Sequence, residues 1–214
     1  MTTVTAVKKR NRSSDRSNGF DGGGYGSAAD GVPFNKSIFG LLVFLTTEVM
    51  FFGGLISTFL ILRAGSPLWP PPGQPRLPVG VTAVNTLVLL LSAWTMRRAV
   101  RAIRAGERSA LVRWLAATAV LGGTFLAVQG TEWVRLVKYG LTFASSVYAG
   151  TFYSIIGAHG LHVLGGMTFL LVVLRKAVSQ SYSARGHLGV TLSSIYWYFV
   201  VGIWPVLYVL VYLS

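Results

Sequence analysis

"SIIGAHGLHVLGGMTFLLVVL", residues 154–174, sets His159 and His162 in the middle of an otherwise apolar run. A helix of about 20 such residues crosses a hydrocarbon core about 30 Å thick, so the stretch reads as a transmembrane segment. Polar rings at that depth are costly unless they face protein or water inside a bundle. Positions i and i+3 lie on one side of a helix, which sets both imidazoles toward a common neighbourhood. A metal, a proton or a partner helix could each account for them.

Four more apolar runs of similar length surround this one. The five spans read as Ser37–Leu62, Val79–Met96, Trp114–Leu136, Thr151–Leu174 and Leu188–Leu213. With 52% hydrophobic residues and a mean hydropathy of +0.58, the chain lies well above the level of a soluble domain. The fold class is all-α: a polytopic, multi-pass transmembrane bundle of five helices. The first apolar run is too long for a secretory signal and carries a glutamate, so it is expected to stay in the mature protein.

The formal charge of +13 is a topology signal before anything else. Lys8, Lys9, Arg10, Arg12, Arg16 and Lys36 precede the first span, and Arg97, Arg98, Arg101, Arg104, Arg108 and Arg113 separate the second and third. Arg175, Lys176 and Arg185 separate the fourth and fifth. The other side receives only Arg63, Arg76, Arg135 and Lys138. By the positive-inside rule the N-terminus is cytoplasmic and the C-terminus outside, as expected for a protein of the cytoplasmic (inner) membrane. Arg97, Arg98 and Lys176 then stand where anionic lipid headgroups lie. No compact domain presents the basic residues to nucleic acid.

The chain has no cysteine. That rules out disulfides, thiolate zinc sites, iron–sulfur clusters and covalently attached c-type haem within it. Residues 1–33 are basic and rich in Gly and Ser, without periodicity, and read as a flexible tail. Residues 34–214 form the five-helix domain. "RAGSPLWPPPGQPRLP" (63–78) is too proline-rich for helix and reads as an extended outer loop. "RRAVRAIRAGERSALVR" (97–113) continues the second helix and turns near Gly106, while "KYGLTFASSVYAG" is a short outer connection.

Glu48 lies 11 residues into the first span, roughly 16 Å deep at 1.5 Å per residue. A carboxylate there must be neutral, paired or beside water. It reads either as a proton-linked group or as a protonated lock between helices. The fourth helix runs the opposite way, so His162 reaches a similar depth and a Glu48–histidine hydrogen bond across helices is expected. Metal ligation would need further donors at that depth, and His187, the remaining histidine, sits in the inner loop. Gly157, Gly160, Gly165 and Gly166 allow close helix approach, so the histidine face is expected to meet protein. Gln129, Glu132 and Arg135 form a polar group at the outer end of the third span, where Trp133 suits the interface. Asn85 reads as an interhelical hydrogen bond.

These segments resemble subunit III of the haem–copper oxidases, the cytochrome c oxidase subunit III family. The residues that carry the resemblance are "TEVMFFGG" (47–54), "NTLVLLLSA" (85–93), "GTFLAVQGTEW" (123–133) and, most specifically, "FYSIIGAHGLHVLGG" (152–166). The resemblance covers about residues 37–214. It implies an accessory subunit without a redox centre or catalytic residues, in a translocase that reduces O₂ and pumps protons. Haems and copper would sit in subunits I and II. A subunit of this kind packs beside subunit I, holds phospholipid in a cleft and supports proton uptake, with Glu48, His159 and His162 as its polar network. The longer members have seven helices, and five are matched here, as in shorter bacterial members. The family's final helix typically reads Trp-His-Phe-x-Asp-x-x-Trp, whereas this chain reads "WYFVVGIW" (197–204), with Tyr198 for the histidine and Val201 for the aspartate.

Two other functions fit the same residues less well. One is a subunit III-like accessory protein of nitric oxide reduction. The other is a small proton- or metal-coupled transporter using Glu48 and the histidine pair.

Overall fold

Asn35 opens the first helix by accepting the backbone N–H groups of Ser37 at 3.1 Å and Ile38 at 3.4 Å. These donors have no partner within the helix, and an Asn side chain is among the better caps for them. The computed structural model describes residues 35–72, 77–179, 181–184 and 186–213, within one compact unit, Asn35–Ser214. The tail at 1–33, Arg76 and Arg185 lie outside the described residues.

Five helices follow in order: α1 (Lys36–Ala64), α2 (Val79–Arg104), α3 (Arg108–Lys138), α4 (Val147–Val178) and α5 (Leu188–Tyr212). Each is long and apolar enough to cross a membrane. Among the described residues no strand occurs. The chain is thus an all-α bundle, as its hydrophobic runs predict.

The helices outrun the apolar spans where capping and charge carry them on. α4 starts at Val147 rather than Thr151, because the Ser146 hydroxyl accepts the Ala149 N–H at 3.1 Å and begins a turn in what reads as loop. α2 extends through its arginines to Arg104, then turns at Gly106, whose φ of 78° suits a residue without Cβ. α5 continues through Pro205 to Tyr212. The proline-rich connection is non-helical over its described residues between Ala64 and Val79 and packs on the bundle. Its Trp69 packs edge-on against Phe59 of α1 and Tyr148 of α4, with ring centroids 5.6 Å and 5.2 Å apart.

α4 and α5 hold the bundle together. α5 packs on α1, α2 and α4, while α4 packs on α1, α3 and α5; α2 and α3 make the most extensive pair. α1 joins differently. It buries only Leu45, Phe52 and Phe59, one residue in every seven, against α4 and α5 rather than against its sequence neighbour α2.

A ladder of buried hydrogen bonds ties α2 to α3 and α5. Trp197 and Trp204 on α5 donate their indole N–H groups to Ser92 at 3.1 Å and Thr86 at 2.9 Å on α2. Thr95 meets Thr118 at 2.8 Å, and Asn85 donates to the Phe125 carbonyl at 3.1 Å. Ser92 and Thr86 also donate to carbonyls of their own helix, so each hydroxyl gives one hydrogen bond and receives another. Interhelical bonds of this kind average about 0.6 kcal/mol in a membrane, so the ladder orients helices more than it drives their association.

Candidate functional site

Glu48 of α1 and His162 of α4 meet in the apolar part of the bundle, Glu48 Oε2 lying 2.8 Å from His162 Nε2. Both side chains are largely enclosed, at 16% and 18% exposure. The other ring nitrogen settles the protonation pattern. His162 Nδ1 is 2.7 Å from the Ala158 carbonyl oxygen, which can only accept, so Nδ1 carries a hydrogen. Nε2 then either accepts the Glu48 O–H or donates to the carboxylate. A single proton between Oε2 and Nε2 leaves the pair without net charge in either arrangement. That is how a glutamate lies within a membrane span without an uncompensated charge.

Aromatic rings wall this proton in. Phe52 stands edge-on to the His162 ring at 5.1 Å, and Phe51 lies tilted at 6.2 Å. From α5, the Tyr196 hydroxyl donates to the His162 carbonyl at 3.3 Å.

His159 parts company with its neighbour. Three residues of α-helix rotate a side chain by about 300°, leaving the two imidazoles about 60° apart around α4. His162 therefore turns to α1, whereas His159 turns inward and is 1% exposed. Its ring stacks on Trp204 at 4.9 Å, with the edges of Phe52 and Phe125 each 6.4 Å away. Neither ring nitrogen has a hydrogen-bond partner among the described residues. The Glu48 pairing expected of either histidine falls to His162.

The glycines of α4 divide in the same way. Gly166 lies buried against Tyr196 and Trp197, whereas Gly165 is exposed. Gly157 and Gly160 face Trp133 of α3 across the wall of a cavity of about 710 Å³. Trp133 thus lines protein rather than serving only as an interface anchor.

At the far end of α3, Gln129 and Glu132 are both buried. Gln129 donates to the Tyr212 hydroxyl at 3.0 Å, and Arg135 donates to Glu132 at 2.8 Å from an exposed position. Tyr212 and the indole–hydroxyl ladder were not singled out by sequence. The available signal was the seven-residue spacing of Trp197 and Trp204, which puts two indole donors on one face of α5. Arg97 and Arg98 are exposed near the end of α2, Arg98 lying 4.8 Å over the Trp94 ring. Lys176 is exposed in the last turn of α4. These cations stand on helices that do not pack directly on each other, α2 and α4. Among the described residues no group of three or more His, Cys, Asp or Glu side chains comes together.

Residues 26–214 match the family described as "Cytochrome c oxidase subunit III". A cytochrome c oxidase subunit 3 of Synechocystis is 40% identical over 177 residues, covering 82% of this chain and 75% of that protein. The Thermostichus vulcanus protein of that name is 38% identical over 177 residues, covering 82% and 86% of the two chains. The goldfish Carassius auratus protein is 37% identical over 187 residues, covering 84% and 70%. A match over nearly the whole hydrophobic part of the chain, together with five membrane-length helices, makes this multi-pass membrane protein a member of the cytochrome c oxidase subunit III family.

Proposed function

We propose that the chain is the non-catalytic third subunit of a haem–copper terminal oxidase of the cytoplasmic membrane. It supports O₂ reduction and proton translocation by subunits I and II and holds no redox centre of its own. The observation that carries this reading is the Glu48–His162 pair, a carboxyl and an imidazole 2.8 Å apart between two membrane-length helices. Such a unit can hold or pass a proton without bringing net charge into the membrane. Membership of the subunit III family supports placing haems and copper in partner subunits. The relatives are oxidase subunits, which favours oxygen over nitric oxide as the acceptor.

Subunits I and II are the expected companions after extraction in mild detergent. Their co-purification with this chain, with haem and copper following them and not the isolated subunit, supports the assignment. A chain that purifies alone and moves protons or metal across liposomes by itself overturns it in favour of a transporter.

The same reading gives the exposed cations of α2 and α4 a lipid role. The N-in, C-out orientation places Arg97, Arg98 and Lys176 at the cytoplasmic leaflet, where each cation near an anionic surface contributes about 1 kcal/mol. Trp94, under Arg98, adds a ring that favours the interface. Neutralising all three residues is expected to reduce co-purifying anionic phospholipid while leaving the complex assembled. Mass spectrometry of the extracted lipid checks this, and an unchanged lipid content counts against it.

A further inference from the structure

Arg97, Arg101 and Arg104 recur on one face of α2. At about 100° and 1.5 Å per residue they fall within about 60° of arc and rise by about 10 Å along the helix. All three are exposed, and none makes an ion pair among the described residues. Arg98 lies about 100° round from Arg97 and covers Trp94 instead. α5, which packs on α2, carries no charged residue. Its Tyr198 is 39% exposed, and the hydroxyl has no hydrogen-bond partner among the described residues. The charges of Arg97, Arg101 and Arg104 all act on that hydroxyl. The carboxylate nearest to them in chain order, Glu107, stands beyond Gly106 at the start of α3.

α2 and α5 run in opposite directions, and this turns the groups toward one point. Helical side chains lean toward the N-terminus of their own helix. The arginines of α2 therefore lean back toward the apolar span, and Tyr198 leans out of it toward them. Trp197, the neighbour of Tyr198, donates to Ser92, five residues or about 8 Å on the apolar side of Arg97. Arg97 itself stands 18 residues from the start of α2, about 27 Å, where a hydrocarbon core about 30 Å thick comes to its end. A phenol O–H rising from the apolar side thus meets guanidinium groups descending from the polar side. The set offers donors and positive charge with no carboxylate among them, which suits an oxyanion such as phosphate.

An apolar track leads away from the same point. Tyr198, Gly202, Pro205 and Val209 share a face of α5 within about 60°. A Cβ at Gly202 would meet nothing within 4 Å, and Pro205, Val206, Val209 and Leu210 line a shallow groove. A lipid fits both parts, with its phosphate at the arginines and an acyl chain along the track. A free anion would use the first part alone.

We propose that Arg97, Arg101, Arg104 and Tyr198 form a discrete site for the phosphate of an anionic phospholipid, whose acyl chain lies along Gly202, Pro205 and Val209. Phosphate oxygens accept from the guanidinium groups and from the Tyr198 hydroxyl. The site rests on the lipid role given above and narrows it, from general attraction of exposed cations to one molecule bound at the α2–α5 seam.

Photolabelling in native membranes tests it. The probe is a phosphatidylglycerol carrying a diazirine midway along one acyl chain. Adducts are mapped by mass spectrometry, with the amount of chain in the membrane measured alongside. The labelling is read whether or not oxidase subunits co-purify, so its failure is distinct from failure of the accessory-subunit assignment. The expected result is saturable labelling within 198–209, competed by unlabelled phosphatidylglycerol and not by equal amounts of diacylglycerol or free glycerol phosphate. Tyr198→Phe keeps the ring and removes the O–H, so labelling should fall about fivefold, the effect of one hydrogen bond. Arg97→Gln combined with Arg101→Gln should lower it about tenfold or more. Arg113→Gln removes an exposed arginine of α3 and should leave it unchanged. Equal losses in Arg113→Gln and the double variant would mean general attraction without a site and overturn the proposal. Labelling that is absent or does not saturate overturns it as well. Competition by diacylglycerol would show that the acyl chain alone is held, and competition by glycerol phosphate that a soluble anion is held; either overturns it. If the double variant does not accumulate, the competition pattern and Tyr198→Phe decide.

Discussion

Gly122→Leu is expected to abolish accumulation of the folded chain in the membrane. A Cβ at Gly122 would lie 2.6 Å from Met167 Cε and 2.7 Å from Trp197 Cη2, both closer than real Cβ contacts allow. The Met167 tip can swing away. Trp197 cannot, because it is fully buried and its indole N–H is held by Ser92. The missing side chain is what lets the α5 tryptophan lie against the α3 backbone. Adding bulk to a filled core costs about 1–3 kcal/mol or more, and a leucine at this point also displaces the indole from its hydroxyl. Gly122→Ala should show a smaller loss of the same kind. Immunoblotting of membranes, with thermal unfolding in mild detergent, reads both. Wild-type amounts of Gly122→Leu chain would mean that the Trp197 ring does not lie against the α3 backbone at Gly122.

The second large effect concerns Glu48. Glu48→Gln keeps a donor for His162 Nε2, since its amide N–H can take the place of the carboxyl O–H, and assembly is expected to survive. Glu48→Ala removes the hydrogen bond and should weaken the seating of α1 by about 1 kcal/mol. His162→Leu goes further, leaving the carboxyl without its partner at a cost of about 1–3 kcal/mol. Under the accessory-subunit reading, O₂ consumption by the Glu48→Ala complex begins near the wild-type rate and decays faster over successive turnovers. An oxygen electrode trace over many turnovers separates this from a catalytic defect. Immediate and complete loss of O₂ reduction in an assembled Glu48→Gln complex would falsify the supporting role.

Much of this architecture is legible in the sequence because a membrane leaves few alternatives. A run of some 20 apolar residues must be a helix there, since every backbone polar group needs an internal partner. The meeting of α1 and α4 is legible as well. Glu48 and His162 lie at matching depths on helices of opposite direction, and few groups can answer a carboxyl in that setting. What escapes is angular. Sequence spacing sets His159 and His162 on one broad side of α4, but a separation of about 60° sends one to Glu48 and the other to Trp204. The start of α4 escapes because a single hydroxyl, Ser146, decides it within a stretch that reads as loop. The role of Gly122 escapes for a further reason. It depends on a tryptophan 75 residues later in the chain, and nothing local to Gly122 announces that contact.

The separation of Glu48 from His162 has a consequence for how the chain is made. The two residues are 114 positions apart. At translation rates of about 5–20 residues per second, α1 waits about 6–23 s after Glu48 is synthesised before His162 exists to meet it. During that interval the first helix has neither its hydrogen-bond partner nor the α4 and α5 surfaces that receive Leu45, Phe52 and Phe59. A nascent chain in this position needs a temporary host for its carboxyl, either the wall of the insertion machinery or a bound proton. Ribosome pausing between α3 and α4 should prolong that exposure and make the unfinished chain a preferred target for membrane quality-control proteases. Pausing after α5 should not.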